Sequence, residues 1–190
     1  MKDRRQDRAR TQRRVALARA LERAESEGLG ALVAELPDRA TGLNARDLEA
    51  QPLDLLFLDE DDLRIWFFEA LDAAGLLEAA LGWARHLEEE SDLWRRRLRL
   101  NHLEPRLRAR RAELDEAWRA QLREHFRRWG AAGVAGERVA CLEADLALAA
   151  LRSAERLWME GGGRPLLPIL VQEALATAWP ALYAHARKGR

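Results

Sequence analysis

The stretch EGLGALVAELPDRATGLNARDLEAQPLDLLFLDEDDL, which runs from Glu27 to Leu63, decides how the fold of this chain is read. Its glycines and prolines divide it, because these residues end helices and form turns. The pattern predicts a short helix over 30–40, a turn at Thr41-Gly42 and a second short helix over 43–50, with Asn44 as its N-cap. A proline then stops the second helix, since the residue before a proline disfavours helical geometry.

Helical periodicity also dominates the rest of the chain, and strand patterns are nearly absent. In the segment 63–73 the residues Ile65, Trp66, Phe67 and Phe68 surround the helix, which predicts a fully buried element. Apolar residues elsewhere recur three and four positions apart and so share one helical face. The other predicted helices cover 13–26, 92–111 with a break at Pro105, 114–129, 137–160 and 165–186. The sequence therefore predicts an all-α protein of eight or nine helices, three short ones first.

The charge of the chain is zero overall but unevenly distributed. Residues 1–14 hold seven basic against two acidic residues, and residues 95–111 hold eight arginines against one glutamate. Residues 47–62 hold seven acids and no base. Such asymmetry indicates charged partners more clearly than the net charge does. The hydrophobic fraction of 48% argues against disorder.

The sequence predicts a cytoplasmic chain. Cys141 is the single cysteine, so no internal disulfide can form, and a reducing compartment is expected. No apolar run approaches the roughly 20 residues of a membrane span. The basic N-terminus is not followed by the apolar core and small-residue cleavage site of a secretory signal.

The order of these segments resembles the TetR family of bacterial transcriptional regulators. RTQRRVALARALERAESEGLGAL at 10–32 and RATGLNARDL at 39–48 resemble its DNA-binding head, and the spacing from Gly28 to Gly42 matches the family. The C-terminal half, with RLRLNHLEPRLRARRAEL, AWRAQLREHF and ALAALRSAERLWMEGGGRPLLPILVQEAL, is similar to the ligand-binding domains of many members. The resemblance implies a three-helix helix-turn-helix domain over 1–58 and a ligand-binding and dimerisation domain over 59–190.

A helix-turn-helix head of this kind places its second helix in the major groove while flanking groups hold phosphates. Arginine can pair with guanine and asparagine with adenine, so both types read base edges. The candidate DNA-binding residues are those of the basic arm and the start of the recognition helix, namely Arg4, Arg5, Arg8, Arg10, Arg13, Asn44 and Arg46. A solvated terminus is the alternative interpretation of the arm.

The resemblance also implies a homodimer, in which the last two helices of each protomer form a four-helix bundle with the partner's pair. These helices carry more apolar surface than a surface pair needs, and small residues allow close approach. The candidate interface residues are Leu142, Leu146, Ala149, Ala150, Leu157, Leu170, Leu175 and Trp179. The alternative is that both helices only close the core of their own domain.

The head departs from the family pattern in charge. Val33 and Glu35 stand where the family usually has Thr and Arg, and Glu49 takes the place of a Tyr. The acidic run 59–62 lies where a Lys is usual. Each change removes a phosphate partner or adds repulsion. A relative that has lost DNA binding, and acts as a small-molecule or lipid carrier or as an interaction partner, is therefore the alternative to a ligand-responsive regulator of operator DNA.

The ligand cavity of this fold lies between the middle helices, and aromatic walls suit flat or lipophilic molecules. The candidate wall residues are Trp94, His102, Trp118 and Phe126, with core packing as the alternative for each tryptophan. The arginine-rich stretch 95–111 can bind an anion, with a solvated face as the alternative reading.

No catalytic, metal or cofactor pattern is expected. The four histidines show no metal-ligand spacing, and the acids cluster at helix starts rather than in pairs typical of acid–base catalysis. GGGRP at 161–165 lacks the Gly-Lys-Ser/Thr ending of a phosphate loop and predicts a helix C-cap and turn instead. The predicted protein is not an enzyme.

Overall fold

The computed structural model describes residues 2–34, 52–57, 60–130 and 132–188 of the chain. Every regular element in these ranges is a helix, which confirms the predicted all-α class. Two of them are short 3₁₀ helices, at Leu29–Ala34 and Pro52–Phe57. The α-helices are α1 (Lys2–Glu27), α2 (Glu60–Ala74), α3 (Leu76–Glu89), α4 (Ser91–Leu103), α5 (Pro105–Trp129), α6 (Val134–Glu160) and α7 (Leu167–Lys188). The predicted helix over 43–50 lies outside the described residues.

The chain divides into two compact units, Met1–Leu63 and Arg64–Arg190. In the first unit α1 is one helix from Lys2, longer than the predicted segment that starts at Arg13, because the basic residues before it continue the helix. It ends at Gly28, whose φ of 84° is a left-handed conformation that glycine adopts without strain. The apolar face of α1, with Leu17 and Leu21, is buried.

The second unit is centred on α6. This helix packs against α5 on one side and α7 on the other, and α7 also packs against α3. Fully buried alanines of α6, such as Ala144, Ala147 and Ala154, allow the neighbouring helices to approach closely. The core is filled mainly by tryptophan and leucine side chains, including Trp83, Trp94, Trp118, Trp158 and Leu122.

Helix α2 is not buried all round, so that prediction is wrong. Phe67 is completely buried, but Ile65 and Trp66 are 56% and 42% exposed. The helix packs by one face only, and the Trp66 ring lies over the backbone of α3 at Gly82. A Cβ added at Gly82 would stand 2.8 Å from Trp66 Cη2, so the missing side chain makes room for the ring.

Helix boundaries follow prolines and glycines, with two corrections. The break at Pro105 is present, but α5 then runs unbroken to Trp129, because proline at the first helical position needs no hydrogen-bond partner for its nitrogen. Helix α6 begins at Val134, three residues before the predicted start at 137, so Gly136 lies inside it. After α6, Gly162 and Gly163 take left-handed φ values of 65° and 91°, as expected for a glycine-rich helix end.

No helix in the described part of the chain has both the length and the apolar character needed to cross a membrane.

Candidate functional site

The second unit contains a cavity of about 280 Å³ between α4, α5 and α6. Three helices contribute to it because α5 packs on both of its neighbours. Most of the surface that lines the cavity is apolar, and charged groups stand at its floor and edge. Its lining residues are Leu98, Asn101 and His102 from α4, Arg108, Arg111, Ala112 and Asp115 from α5, and Arg152, Glu155, Arg156 and Met159 from α6.

Two arginines and two carboxylates form an ion-pair network across α5 and α6 at the cavity, which we call the floor network. Both carboxylate oxygens of Glu155 accept hydrogen bonds from Arg111 Nη2, at 3.1 and 3.2 Å. Arg152 donates to Asp115 Oδ1 through Nη2 at 2.7 Å and to Glu155 Oε2 through Nη1 at 2.9 Å. Arg111 Nε also lies 3.4 Å from Asp115 Oδ1. The two positive and two negative charges are therefore mutually neutralised.

The floor network is mostly shielded from water. The Glu155 side chain is only 5% exposed, and none of the other three exceeds 20%. Removing the cation that pairs with a buried carboxylate strongly destabilises the folded protein. In the complete network, the attraction between the charges can offset the free energy of removing them from water. The network thus ties α5 to α6 while keeping four charged groups beside the cavity.

Asn101 lines the cavity, but its amide is buried and unpaired. This residue is 6% exposed, and neither its Oδ1 nor its Nδ2 has a hydrogen-bond partner among the described residues. Buried polar groups left unpaired cost about 1–3 kcal/mol each, so they are rare in folded proteins. Both atoms are also closed to solvent, so a molecule in the cavity does not reach them in this conformation.

Two further arginines stand at the exposed edge of the cavity. Arg108 and Arg156 are exposed, and within the described part of the chain neither makes a hydrogen bond or an ion pair. Together with the floor network they bring four guanidinium groups and two carboxylates to one cavity. The excess charge around the cavity is positive.

The structure does not bring the four predicted ligand residues together. Only His102 lines the cavity. The Trp94 ring is buried and stacks under the guanidinium of Arg97 at 3.6 Å, and Trp118 is packed in the core 4.9 Å from the Phe67 ring. Phe126 lies 6.0 Å from the Trp179 ring, centroid to centroid, outside the cavity lining.

The predicted interface residues divide into three groups by exposure. Leu142, Ala149 and Leu157 of α6 are exposed, whereas Ala150, Leu170 and Leu175 are buried within the protomer. Leu146 and Trp179 are half-buried. Leu142 and Ala149 are two helical turns apart, so they share one face of α6, and it is the face opposite Ala140 and Ala144 in the core.

The predicted DNA-binding residues are only partly covered by the structure. Asn44 and Arg46 lie outside the described residues. The backbone of Arg4, Arg5, Arg8, Arg10 and Arg13 belongs to α1, and their side chains are not among those described.

Sequence reasoning missed the residues that define the cavity. Arg111 and Asp115 are four apart on α5, and Arg152 and Glu155 are three apart on α6, so each pair was visible as a helical ion pair. Nothing in the sequence indicated that the two pairs meet. Asn101 stands between Leu100 and His102 in the last turn of α4, and no sequence pattern marked it as a cavity residue.

The described residues include no group of three or more His, Cys, Asp or Glu side chains able to hold a metal ion.

Elsewhere on α5, Arg127 and Arg128 donate hydrogen bonds to Glu124 and lower the pKa of this carboxyl to about 2.

Fold and cavity together define an all-α protein with a small N-terminal unit and a larger helical unit that contains a cavity with a charged floor. A family model described as the MftR C-terminal domain matches residues 72–184, more than half of the chain. The chain belongs to the TetR family of regulators, which confirms the resemblance seen in its sequence. No curated protein and no solved structure matches it.

Proposed function

We propose that this chain is a dimeric, ligand-responsive transcriptional regulator that binds operator DNA through its N-terminal unit. The observation that carries the proposal is the family match over 72–184, which includes every residue that lines the cavity, all of α6 and α7 as far as residue 184. A regulator that acts on DNA works in the cytoplasm of a bacterial cell. The ligand, in this proposal, binds in the cavity between α4, α5 and α6.

The basic start of α1 supports DNA binding. Seven basic residues stand among the first fourteen, and α1 begins at Lys2, so they lie on a helix. Phosphate contacts by Lys and Arg supply much of the affinity of such proteins and make it fall steeply with salt. Asn44 and Arg46, on the predicted recognition helix, are the candidates for reading base edges.

The exposed leucines of α6 support a dimer. Leu142 and Leu157 are 55% and 49% exposed, and Leu166 and Ile169 next to and on α7 are exposed as well. Two neighbouring helices with exposed apolar side chains suit a four-helix bundle, which buries such faces against a second copy. Buried apolar surface stabilises an assembly by about 25 cal/mol per Å².

Helix α6 links the two roles. Arg152 and Glu155 line the cavity, while Leu142 and Ala149 stand on the face proposed for the dimer. Arg156 lines the cavity too and, seven positions after Ala149, also lies on that face. If a ligand binds more tightly when α6 occupies one of two positions in the fold, it raises the fraction of molecules in which α6 occupies that position. In a dimer such a shift changes the spacing of the two DNA-reading heads relative to successive major grooves.

Titration of the purified protein against its own upstream DNA and against random duplex, over a salt series, tests the proposal. We expect a specific complex whose affinity falls steeply with salt. Arg46→Ala should weaken the specific complex by about 1–3 kcal/mol, the value of a bidentate base contact. Arg128→Ala, an exposed arginine of α5, is the matched control and should leave the affinity unchanged.

A TetR-fold protein that has lost DNA binding is the second candidate. The acids at the start of α2 favour it, because Asp61 and Asp62 are exposed there. Like charges near a phosphate backbone oppose the attraction of the basic arm. If the protein is a dimer but forms no complex with either duplex at low salt, the first candidate is wrong. The second candidate, a small-molecule-binding or interaction protein, then takes its place.

A further inference from the structure

We propose that a second copy of this chain closes the cavity between α4, α5 and α6, so that each ligand site is complete only in the dimer. The inference rests on the proposed function, because it needs a dimer that uses the outward face of α6. This face presents Leu142, Ala149 and Leu157 to solvent. The inference goes further by joining the cavity to the dimer interface.

The cavity opens to solvent at one side, which we call its mouth. Of the residues that line the cavity, four are exposed and mark the mouth, namely His102, Arg108, Ala112 and Arg156. They come from α4, α5 and α6, so all three helices reach the mouth. The other lining residues are half-buried or buried. In a single protomer the cavity therefore has an open side.

Arg156 connects the mouth to the outward face of α6. Successive residues of an α-helix point about 100° apart around its axis, which places Arg156 about 20° from Ala149. Arg152, Glu155 and Met159, the other lining residues of α6, lie about 60–120° from Ala149 by the same geometry. The cavity and the outward face are therefore neighbouring sides of one helix, and Arg156 stands at their border.

A partner that packs on the outward face reaches this border. A helix with its side chains is about 10–12 Å wide, so a partner helix that covers Ala149 also covers a side chain about 20° further round. Arg156 makes no hydrogen bond or ion pair within the described part of its own chain. Its guanidinium is thus available to a group of the partner, and it can bridge the interface and the mouth.

Closure of the mouth also removes apolar surface from water. Most of the surface that lines the cavity is apolar, and Leu98, Ala112 and Met159 contribute to it. Leu142 and Leu157, on the outward face, are 55% and 49% exposed. Neighbouring apolar surfaces of this kind mark interaction sites, because covering them is favourable. One partner that covers both surfaces gains more than a partner that covers only the outward face.

A closed cavity links ligand binding to dimer formation. A ligand in such a cavity contacts groups of both copies, so it binds the dimer more tightly than the monomer. Coupling between two binding equilibria is reciprocal, and the ligand then strengthens the dimer by the same factor. The effector of the proposed regulator would in this way act on the interface directly.

Labelling of single cysteines tests the closure without a known ligand. Cys141→Ser removes the one native cysteine, and Ala112→Cys or Ala109→Cys then supplies a reporter in the full-length chain. Both alanines are exposed on α5, but only Ala112 lines the cavity, so Ala109 is the matched control. The rate of reaction with N-ethylmaleimide is measured in the dimer, identified by sedimentation, and in the monomer made by Leu142→Glu.

We expect dimer formation to slow labelling at position 112 about tenfold or more, because the reagent enters only when the interface opens. Labelling at position 109 should keep its rate. Arg156→Cys is a third reporter, and its labelling should slow wherever the partner covers the outward face. Dilution of the reporter variants below the dissociation constant of the dimer supplies the monomer if Leu142→Glu does not fold.

The outcomes separate the inference from the proposed function. A dimer in which labelling slows at position 156 but not at position 112 has an open cavity, and this rejects the inference alone. Equal slowing at positions 109 and 112 means that the partner covers α5 in general, which also contradicts closure at the mouth. A parent chain that is monomeric at every concentration rejects the dimer of the proposed function and the inference with it.

Discussion

The inward and outward faces of α6 differ in what they require from the rest of the molecule. The inward face presents buried alanines and Trp158, and beside it Arg152 and Glu155 form ion pairs with α5. These groups find their partners within the same chain. The outward face presents Leu142 and Leu157 to solvent, so its apolar area is buried only if another surface covers it. The inward face of α6 is therefore fully packed within one protomer, whereas the apolar outward face is exposed.

The largest expected effect is on the inward face. Trp158→Ala removes a completely buried ring and should lower the free energy of unfolding by about 3–5 kcal/mol, measured by urea denaturation. The matched control is Trp129→Ala at the end of α5, where the ring is 76% exposed. This control should change stability by no more than about 0.5 kcal/mol. Equal losses in the two variants would contradict the described inward face.

The next effect concerns the charged edge of the same face. Glu155→Gln removes the negative charge that pairs with Arg111 and Arg152, and should cost about 1.5–3 kcal/mol. Glu113→Gln is the control, because Glu113 pairs with Arg110 on the exposed side of α5. Exposed pairs contribute at most about 1 kcal/mol. If both variants unfold at the same urea concentration as the parent, the floor network adds nothing to stability.

A substitution on the outward face should change dimer formation rather than the free energy of unfolding of the protomer. Leu142→Glu places a charge in the proposed interface, and we expect a monomer by sedimentation at concentrations where the parent is a dimer. The loss follows from about 1.5–3 kcal/mol of apolar burial per leucine, together with the cost of burying the charge. Leu103→Glu, at an exposed leucine ending α4, should leave the dimer intact. If the parent chain is itself a monomer, no second copy covers the outward face, and the proposed contrast between the two faces is wrong.

The smallest expected effect depends on pH. Burial raises the pKa of Glu143 above its value in the unfolded chain, so the folded state disfavours its charged form. This penalty is absent at pH values below the unfolded pKa and fully present above the folded one. Glu143→Gln should therefore raise the melting temperature slightly at pH 8 and leave it unchanged at pH 4. Glu173→Gln on α7 is the control, and a gain that is equal at both pH values would contradict the assigned cause.

Helices and their ends were largely predictable from the sequence, because local patterns determine them. The buried face of Leu17 and Leu21, the break at Pro105 and the turn at the three glycines all follow from neighbours within a few residues. The error at Ile65 and Trp66 arose because four successive apolar residues do not say which of them a neighbouring helix covers. That outcome depends on contacts distant in the sequence.

The cavity could be predicted only in outline. Its location between middle helices followed from the family resemblance, and an arginine-rich stretch was recognised as able to bind an anion. His102 was the single predicted wall residue that lines it. The tryptophans were abundant in the sequence and therefore attracted attention, but large rings also fill cores, which is where Trp94 and Trp118 lie.

By itself the sequence determined that this is a helical TetR-family chain, with a charged N-terminus and two apolar final helices. Periodicity and turn residues act locally, so they can be read without coordinates. Only the tertiary structure decided that Asn101, Arg111 and Glu155 share one cavity, because these residues come from three different helices. The Arg111–Glu155 contact spans 44 positions. Which side chains meet over such a separation is determined by helix packing, and helix packing placed these charged groups at the floor of the cavity.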